Sequence, residues 1–230
     1  MRTPTRIRTL TPIRMVDRYA SDLLALVQWL SPAFPTGAFA YSHGLEQAVV
    51  AGDVRDAAAF SDWLADILDY GSGWNDSVLL SLALRPESDL AALADVARAL
   101  AGSAERLHET LAQGAAFGGA LAQMAGREVE AGEPLAIAVG RAARSLALPP
   151  SEVIALYLHA FASNLTSAAM RFVPLGQATG QRVLAAQHPR IVALARNAAQ
   201  AGLDDLAMTA FRAELQAMAH ETLEVRIFKT

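Results

Sequence analysis

An all-α fold, a single-domain helical bundle of about ten helices with short, proline-punctuated connections, is what this 230-residue sequence predicts. Composition is the first reason: 53% of residues are hydrophobic but only 7% aromatic, so the apolar content is mainly Ala and Leu, the strongest helix formers. Periodicity is the second, because apolar residues recur at helical spacing through nearly every segment and only "LEVRIF" near the end alternates like a strand. The third is punctuation, since Pro32, Pro86, Pro149, Pro150, Pro174 and Pro189 fall where the periodic runs stop.

Taken in order, residues 1–20 form a basic arm, with five arginines against one aspartate up to Arg18, read as a disordered leader, with a transit-like peptide or non-native sequence upstream of a start at Met15 as the alternatives. Residues 21–219 form the helical domain. Ser21 and Asp22 begin a helix that carries Leu23, Leu26, Val27 and Leu30 and ends at Ser31-Pro32. The elbow "SPAFPTGAFAYSHGLE", Ser31 to Glu46, follows, with Pro32, Pro35 and Gly37 as structural turns and Phe34, Phe39 and Tyr41 expected at or near the surface. Helix resumes to Ala51-Gly52, and Asp56 caps the next, through Phe60, Trp63, Leu64 and Ile67 to the glycines at 71 and 73.

"WNDSVLLSLAL", Glu87 to Leu100 and Ser103 to Gly126 are three further helices. In the last, Gly114 and Gly118 lie one turn apart and suit close helix packing, within the chain or against a second copy. Leu135 to Leu148 is helical up to "PPSE", where Ser151 caps a helix running to about Val173. Its uncharged stretch from Val153 to Met170 nears membrane-spanning length, but Tyr157, His159, Asn164 and Thr166 mark it as a buried central helix. Beyond Pro174 and Gly176, further turn positions, come a helix to Ala186, one from Ile191 to Ala201 and a final one from about Thr209 to Ala219. Residues 220–230, "HETLEVRIFKT", are a tail whose apolar side chains at a terminus call for cover by a partner.

Several chemistries are excluded by residue type. The absence of cysteine removes disulfides, zinc-thiolate sites and cysteine nucleophiles, and fits a reducing cytoplasm. Lys229 is the only lysine among 19 basic residues, so the chain has neither a Walker A loop nor a Schiff-base lysine. An acidic body, net −4 even with the basic arm, disfavours nucleic acid. The five histidines fall in no HExxH pair. His43/Glu46 and His220/Glu224 could each offer a metal two ligands from one helix face, which makes a weak site and leaves a metal-dependent enzyme as one alternative. A plain helical adaptor is the other.

The elbow, the run "RFVPLGQATGQR" and the tail remain, and together they carry a resemblance. The sequence resembles the UreF family of urease accessory proteins. The block "SPxxPxGxFxYSxGLE" is matched by Ser31, Pro32, Pro35, Gly37, Phe39, Tyr41, Ser42, Gly44, Leu45 and Glu46. "RxVPLGQxxGQR" is matched from Arg171 to Arg182, and His220-Glu221 is followed by Arg226-Ile227-Phe228-Lys229-Thr230. The end departs from the family's Arg-Leu-Phe-Arg-Ser pattern by three replacements that keep its apolar and basic alternation.

The resemblance implies a non-enzymatic, cytoplasmic, dimerising chaperone for nickel insertion. Its implied partners are UreD (UreH), the GTPase UreG and apo-urease, with nickel handled by the complex and no cofactor or metal assigned to the chain itself. The residues implied in partner binding are Phe39, Tyr41, Glu46, Arg171, Gln177, Gln181, His220, Glu221, Arg226 and Phe228. The tail around Arg226 and Phe228 is expected to order on the UreD-like partner.

Overall fold

The structure is a computed structural model that describes residues 12–128, 132–206 and 209–230. Among these the chain forms eleven α-helices and two 3-10 turns, and no strand. The helices are α1 (Pro12–Trp29), α2 (Leu45–Val50), α3 (Ala57–Tyr70), α4 (Ser72–Leu84), α5 (Leu90–Ala99) and α6 (Ala104–Met124). They continue with α7 (Leu135–Ala143), α8 (Pro150–Phe172), α9 (Gln177–Ala186), α10 (His188–Ala198) and α11 (Phe211–His220).

Helices α4 and α8 form the centre. From Gly73 to Ala83 nearly every α4 residue is buried, because α3, α5, α7, α8 and α10 all pack on it. A helix covered all round has no polar face to keep, which is why "VLLSLAL" shows no amphipathic stripe. Helix α8 is the buried central helix the sequence predicts, with α2, α3, α9 and α10 around it and no fully exposed residue between Ser151 and Met170.

Capping follows the sequence in part. Asp56 Oδ1 accepts from the Ala59 N–H at 2.9 Å and Ser103 Oγ from the Arg106 N–H at 3.1 Å, each satisfying a first-turn donor. Helix α8 begins at Pro150 instead of being capped by Ser151: proline at the first position has no N–H to satisfy and its ring presets φ. For the same reason Pro189 sits in the first turn of α10, which starts at His188 and not at Ile191. Helix α7 ends at Ala143, short of Leu148. Helix α1 starts at Pro12, inside the segment read as the basic arm, and not at Ser21. The readings of residues 1–11 lie outside the described residues.

The elbow also differs from expectation. Phe34 and Tyr41 are only 8% and 3% exposed, whereas Phe39 is 66% exposed. Phe34 lies 5.6 Å from the Phe117 ring centroid and Trp29 meets the same ring edge-on, so the chain between α1 and α2 folds down onto α6. Burying a phenyl ring is worth about 2–3 kcal/mol, enough to turn a proline-stiffened loop inward. Gly114 makes a close contact within the chain: a Cβ there would stand 1.8 Å from the Glu133 carbonyl, while one at Gly118 would meet open space. The close approach therefore belongs to Gly114 alone.

Candidate functional site

Elbow, α6, α11 and tail converge on one buried polar junction. Three consecutive residues direct it. Ser42 is fully buried, His43 takes a left-handed φ of 58°, rare for a residue with a Cβ, and Gly44 follows at φ 74°. At Gly44 a Cβ would lie 2.6 Å from the Ala217 nitrogen, so only glycine lets α11 close against the start of α2.

On α2, Glu46 is 3% exposed and anchors the tail. Its carboxylate accepts from the main-chain N–H groups of Ile227 and Phe228, both at 2.9 Å, and faces His220 Nε2 at 3.2 Å. His220 is fully buried, and its Nδ1 lies 2.7 Å from Glu105 Oε2. Arg226 donates to the other oxygen of Glu105 at 2.6 Å. A histidine at the end of α11 is thus clamped between carboxylates from α2 and α6, and the same two carboxylates hold the tail.

The last residues extend the junction. Lys229 N–H donates to the Ala40 carbonyl at 2.8 Å and Ser42 N–H to that of Thr230 at 3.0 Å, so elbow and tail pair through their backbones without forming a strand. Thr230 Oγ1 donates to Glu109 Oε2 at 3.0 Å. Phe228 is buried against Phe172, ring centroids 5.1 Å apart, with the Arg171 guanidinium 5.7 Å from its ring centre. Apolar residues at the terminus thereby find part of their cover in the chain itself.

Beneath the junction lies a charged core. Glu109 on α6 pairs with Arg106 and receives the Gln113 amide at 3.0 Å; its Oε1 lies 3.1 Å from His43 Nδ1. Burial alone would raise this carboxyl, but Arg106 and His43 outweigh it and hold it at about 2. The His43 imidazole is pushed down, first by burial and then by Arg106, and its Nε2 meets Ser72 Oγ at 2.9 Å. Asp76 on α4 takes a hydrogen bond from the Tyr157 hydroxyl at 2.9 Å, and burial lifts its carboxyl to about 6 despite Arg106 nearby. Tyr157 in turn is held well above the usual phenol range by burial and by Asp76.

The residues named from the sequence divide into two groups. Tyr41, Glu46, His220 and Phe228 are buried, and the last three meet at one junction with Arg226. Phe39, Arg171, Gln177, Gln181, Glu221 and Arg226 are exposed, with Gln177 and Gln181 one turn apart on α9 and the Glu221 carboxylate accepting from the first N–H of α6. Neither His/Glu pair forms as a two-ligand site: His43 turns to Glu109 and Ser72, and His220 to Glu46 and Glu105. Among the described residues no group of three or more His, Asp or Glu side chains could hold a metal ion.

Sequence reasoning missed Glu105, Arg106, Glu109, Asp76 and Tyr157. The available signal was "ERLHE" on an otherwise Ala- and Leu-rich helix: Arg106 and Glu109 are three apart, and so share a face. An apolar surface also stands outside the junction. Phe211, Leu215 and Met218 project from one face of α11 at 68%, 48% and 47% exposure, and Val225 and Ile227 of the tail are exposed too.

Comparison with known proteins bears on this arrangement. The family model named UreF matches residues 54–188. A urease accessory protein UreF of Cereibacter sphaeroides is 60% identical over 211 residues, covering 92% of this chain and all of that protein. UreF proteins of Paracoccus denitrificans and Roseobacter denitrificans are 51% and 49% identical, each over 90% of this chain and 95% and 93% of their own lengths.

Proposed function

Because the chain belongs to the UreF family of urease accessory proteins, we propose that it serves urease maturation as a scaffold with no catalysis of its own. In this reading it joins a UreD-like protein and a UreG-like GTPase on apo-urease in the cytoplasm, and the partner's GTP hydrolysis drives nickel delivery. The observation that carries it is the exposed apolar surface of Phe211, Leu215, Met218, Val225 and Ile227, set on a tail pinned by Glu46. Five large apolar side chains around one helix and an adjoining segment are a surface for a protein, not for a small substrate.

The tail is thereby assigned a more specific part than ordering on contact. Phe228 faces inward and fixes the segment, while Val225 and Ile227 face outward to the UreD-like partner. Elbow and "PLGQ" surfaces, with Phe39, Gln177 and Gln181 exposed, are assigned to the GTPase side, and the chain acts as a homodimer. Co-expression with the UreD-like protein of the same organism, followed by size-exclusion with mass determination, tests this. The intact chain should give a heteromeric complex and a chain ending at Ala219 should not; a complex of unchanged stoichiometry with the truncated chain would overturn the assignment of the tail.

A further inference from the structure

Behind the elbow, between α6 and α8, lies a cavity of about 110 Å³. Its walls are aromatic and aliphatic, with Trp29, Phe117, Val139 and Phe161 among them, and its polar residues include His43, Asp76, Arg106, Glu109 and Tyr157. Apolar cavities of about 150 Å³ hold a benzene molecule, so this smaller volume suits a short alkyl chain.

The charges on the polar side do not balance. Glu109 and Arg106 neutralise each other as a close pair, and Glu109 has its remaining capacity taken by Gln113, Thr230 and His43. Burial, and then Arg106, push the His43 imidazole down, toward its neutral form. Among the described residues Asp76 is left with one hydrogen bond, from Tyr157, beside an aromatic chamber, and the nearby Arg106 is closely paired with Glu109 instead. A carboxylate without a close ion pair, next to several ring faces, is the pattern that attracts organic cations, through charge and through the ring quadrupoles.

We propose that this cavity binds a small organic cation, a short alkyl-ammonium or guanidinium group, with its charge on Asp76 and its apolar body against Trp29, Phe117 and Phe161. The cation can be a free amine or a basic side chain inserted by a partner; the chemistry of the site is the same for both. Asp76 is faced by Tyr157 on α8, by Arg106 and Glu109 on α6, by His43 of the elbow and, beyond Arg106, by Glu214 on α11. Of these, Glu109 is held at about 2 and stays ionised over the ordinary pH range, the His43 imidazole is pushed down by burial and by Arg106, and the negative charge offered to a cation is that of ionised Asp76.

Calorimetric titration of the full chain with propylammonium, 1-propanol and propanoate tests the site. Propylammonium should bind saturably at pH 7.5, about tenfold or more tighter than 1-propanol, with propanoate weaker still. Its affinity should fall about tenfold at pH 5 and in Asp76→Asn, a near-isosteric change that keeps an acceptor for Tyr157. Ala160→Leu, which fills the cavity without touching Asp76, should also remove binding. Repeating the titration on the co-purified complex separates the sources: binding retained there identifies a free amine, and binding lost there identifies a partner's side chain. Equal affinity for the three probes, or propylammonium binding unaffected by both substitutions, would overturn the proposal.

Discussion

His220 Nε2 stands 3.2 Å from Glu46 Oε2, and this contact ties the end of the last helix to the start of the second across most of the chain. The same carboxylate receives the N–H groups of Ile227 and Phe228, so it closes the helical body and seats the tail together. A buried carboxylate accepting main-chain donors is among the stronger polar arrangements, and removing the acceptor takes that partner from two N–H groups and from His220 Nε2, leaving the imidazole held by Glu105 alone. Glu46→Ala should cost about 2–3 kcal/mol in denaturant unfolding and raise amide exchange at Ile227 and Phe228 well before the rest of the chain. Unchanged exchange at those two amides would mean that the tail is held by Phe228 packing and Thr230 instead.

The two glycines of α6 make a paired prediction. Gly114 faces the Glu133 carbonyl at a distance no Cβ tolerates, so Gly114→Ala must push the 132–135 segment away and lose about 1–3 kcal/mol. Gly118, with nothing within 4 Å of its missing Cβ, bears only the entropic cost of glycine in a helix. Gly118→Ala should therefore stabilise the chain by about 0.5–1 kcal/mol, read as opposite shifts of the unfolding midpoint for the two variants.

Much of this could be read from residue pattern, and what could not has physical causes. Helix identity was legible because Ala, Leu and proline punctuation act locally. The starts of α8 and α10 were misplaced by one to three residues because proline at a first helical position and proline as a breaker look alike in sequence. The elbow's inward turn depends on Phe117, 83 residues from Phe34, and no local signal announces it. Glu46, His220 and Phe228 were singled out from the sequence, but as surface contacts. That they bind one another is a tertiary fact, since each is near its partners only after α11 returns to α2. The Arg106–Glu109–Asp76 core escaped notice because charged residues at helical spacing ordinarily lie on a solvated face.

Two carboxyls of that core should set opposite slopes of stability against pH. Glu109 is held at about 2 in the folded chain, below its ordinary 4.5, so its contribution is present above pH 4.5 and is lost as pH falls toward 2. Asp76 is raised to about 6 from 3.8, so it favours the unfolded state increasingly as pH climbs from about 4 to 6, and that penalty persists above. Asp76→Asn should thus be more stable than the parent at pH 7.5, by about 3 kcal/mol, with the difference vanishing below pH 4. Urea unfolding of both chains across that range reads the effect; a difference independent of pH would place its origin in packing.

The apolar face of α11 gives a prediction in which stability and function part. Leu215 and Val225 are 48% and 80% exposed, so a charge at either position meets water in the isolated chain. Leu215→Asp and Val225→Asp should leave the unfolding free energy within about 0.5 kcal/mol of the parent, the usual range for surface substitutions. In a protein interface the same carboxylate is desolvated without a partner, which commonly costs 2 kcal/mol or more and weakens association about thirtyfold. Both variants should therefore fold normally, fail to co-purify with the UreD-like protein and activate urease poorly in a co-expression assay. Phe39→Asp, an exposed substitution on the elbow, separates the two proposed surfaces: it should retain the UreD-like partner and lose the GTPase. Loss of both partners from Phe39→Asp would instead make elbow and tail parts of one binding surface.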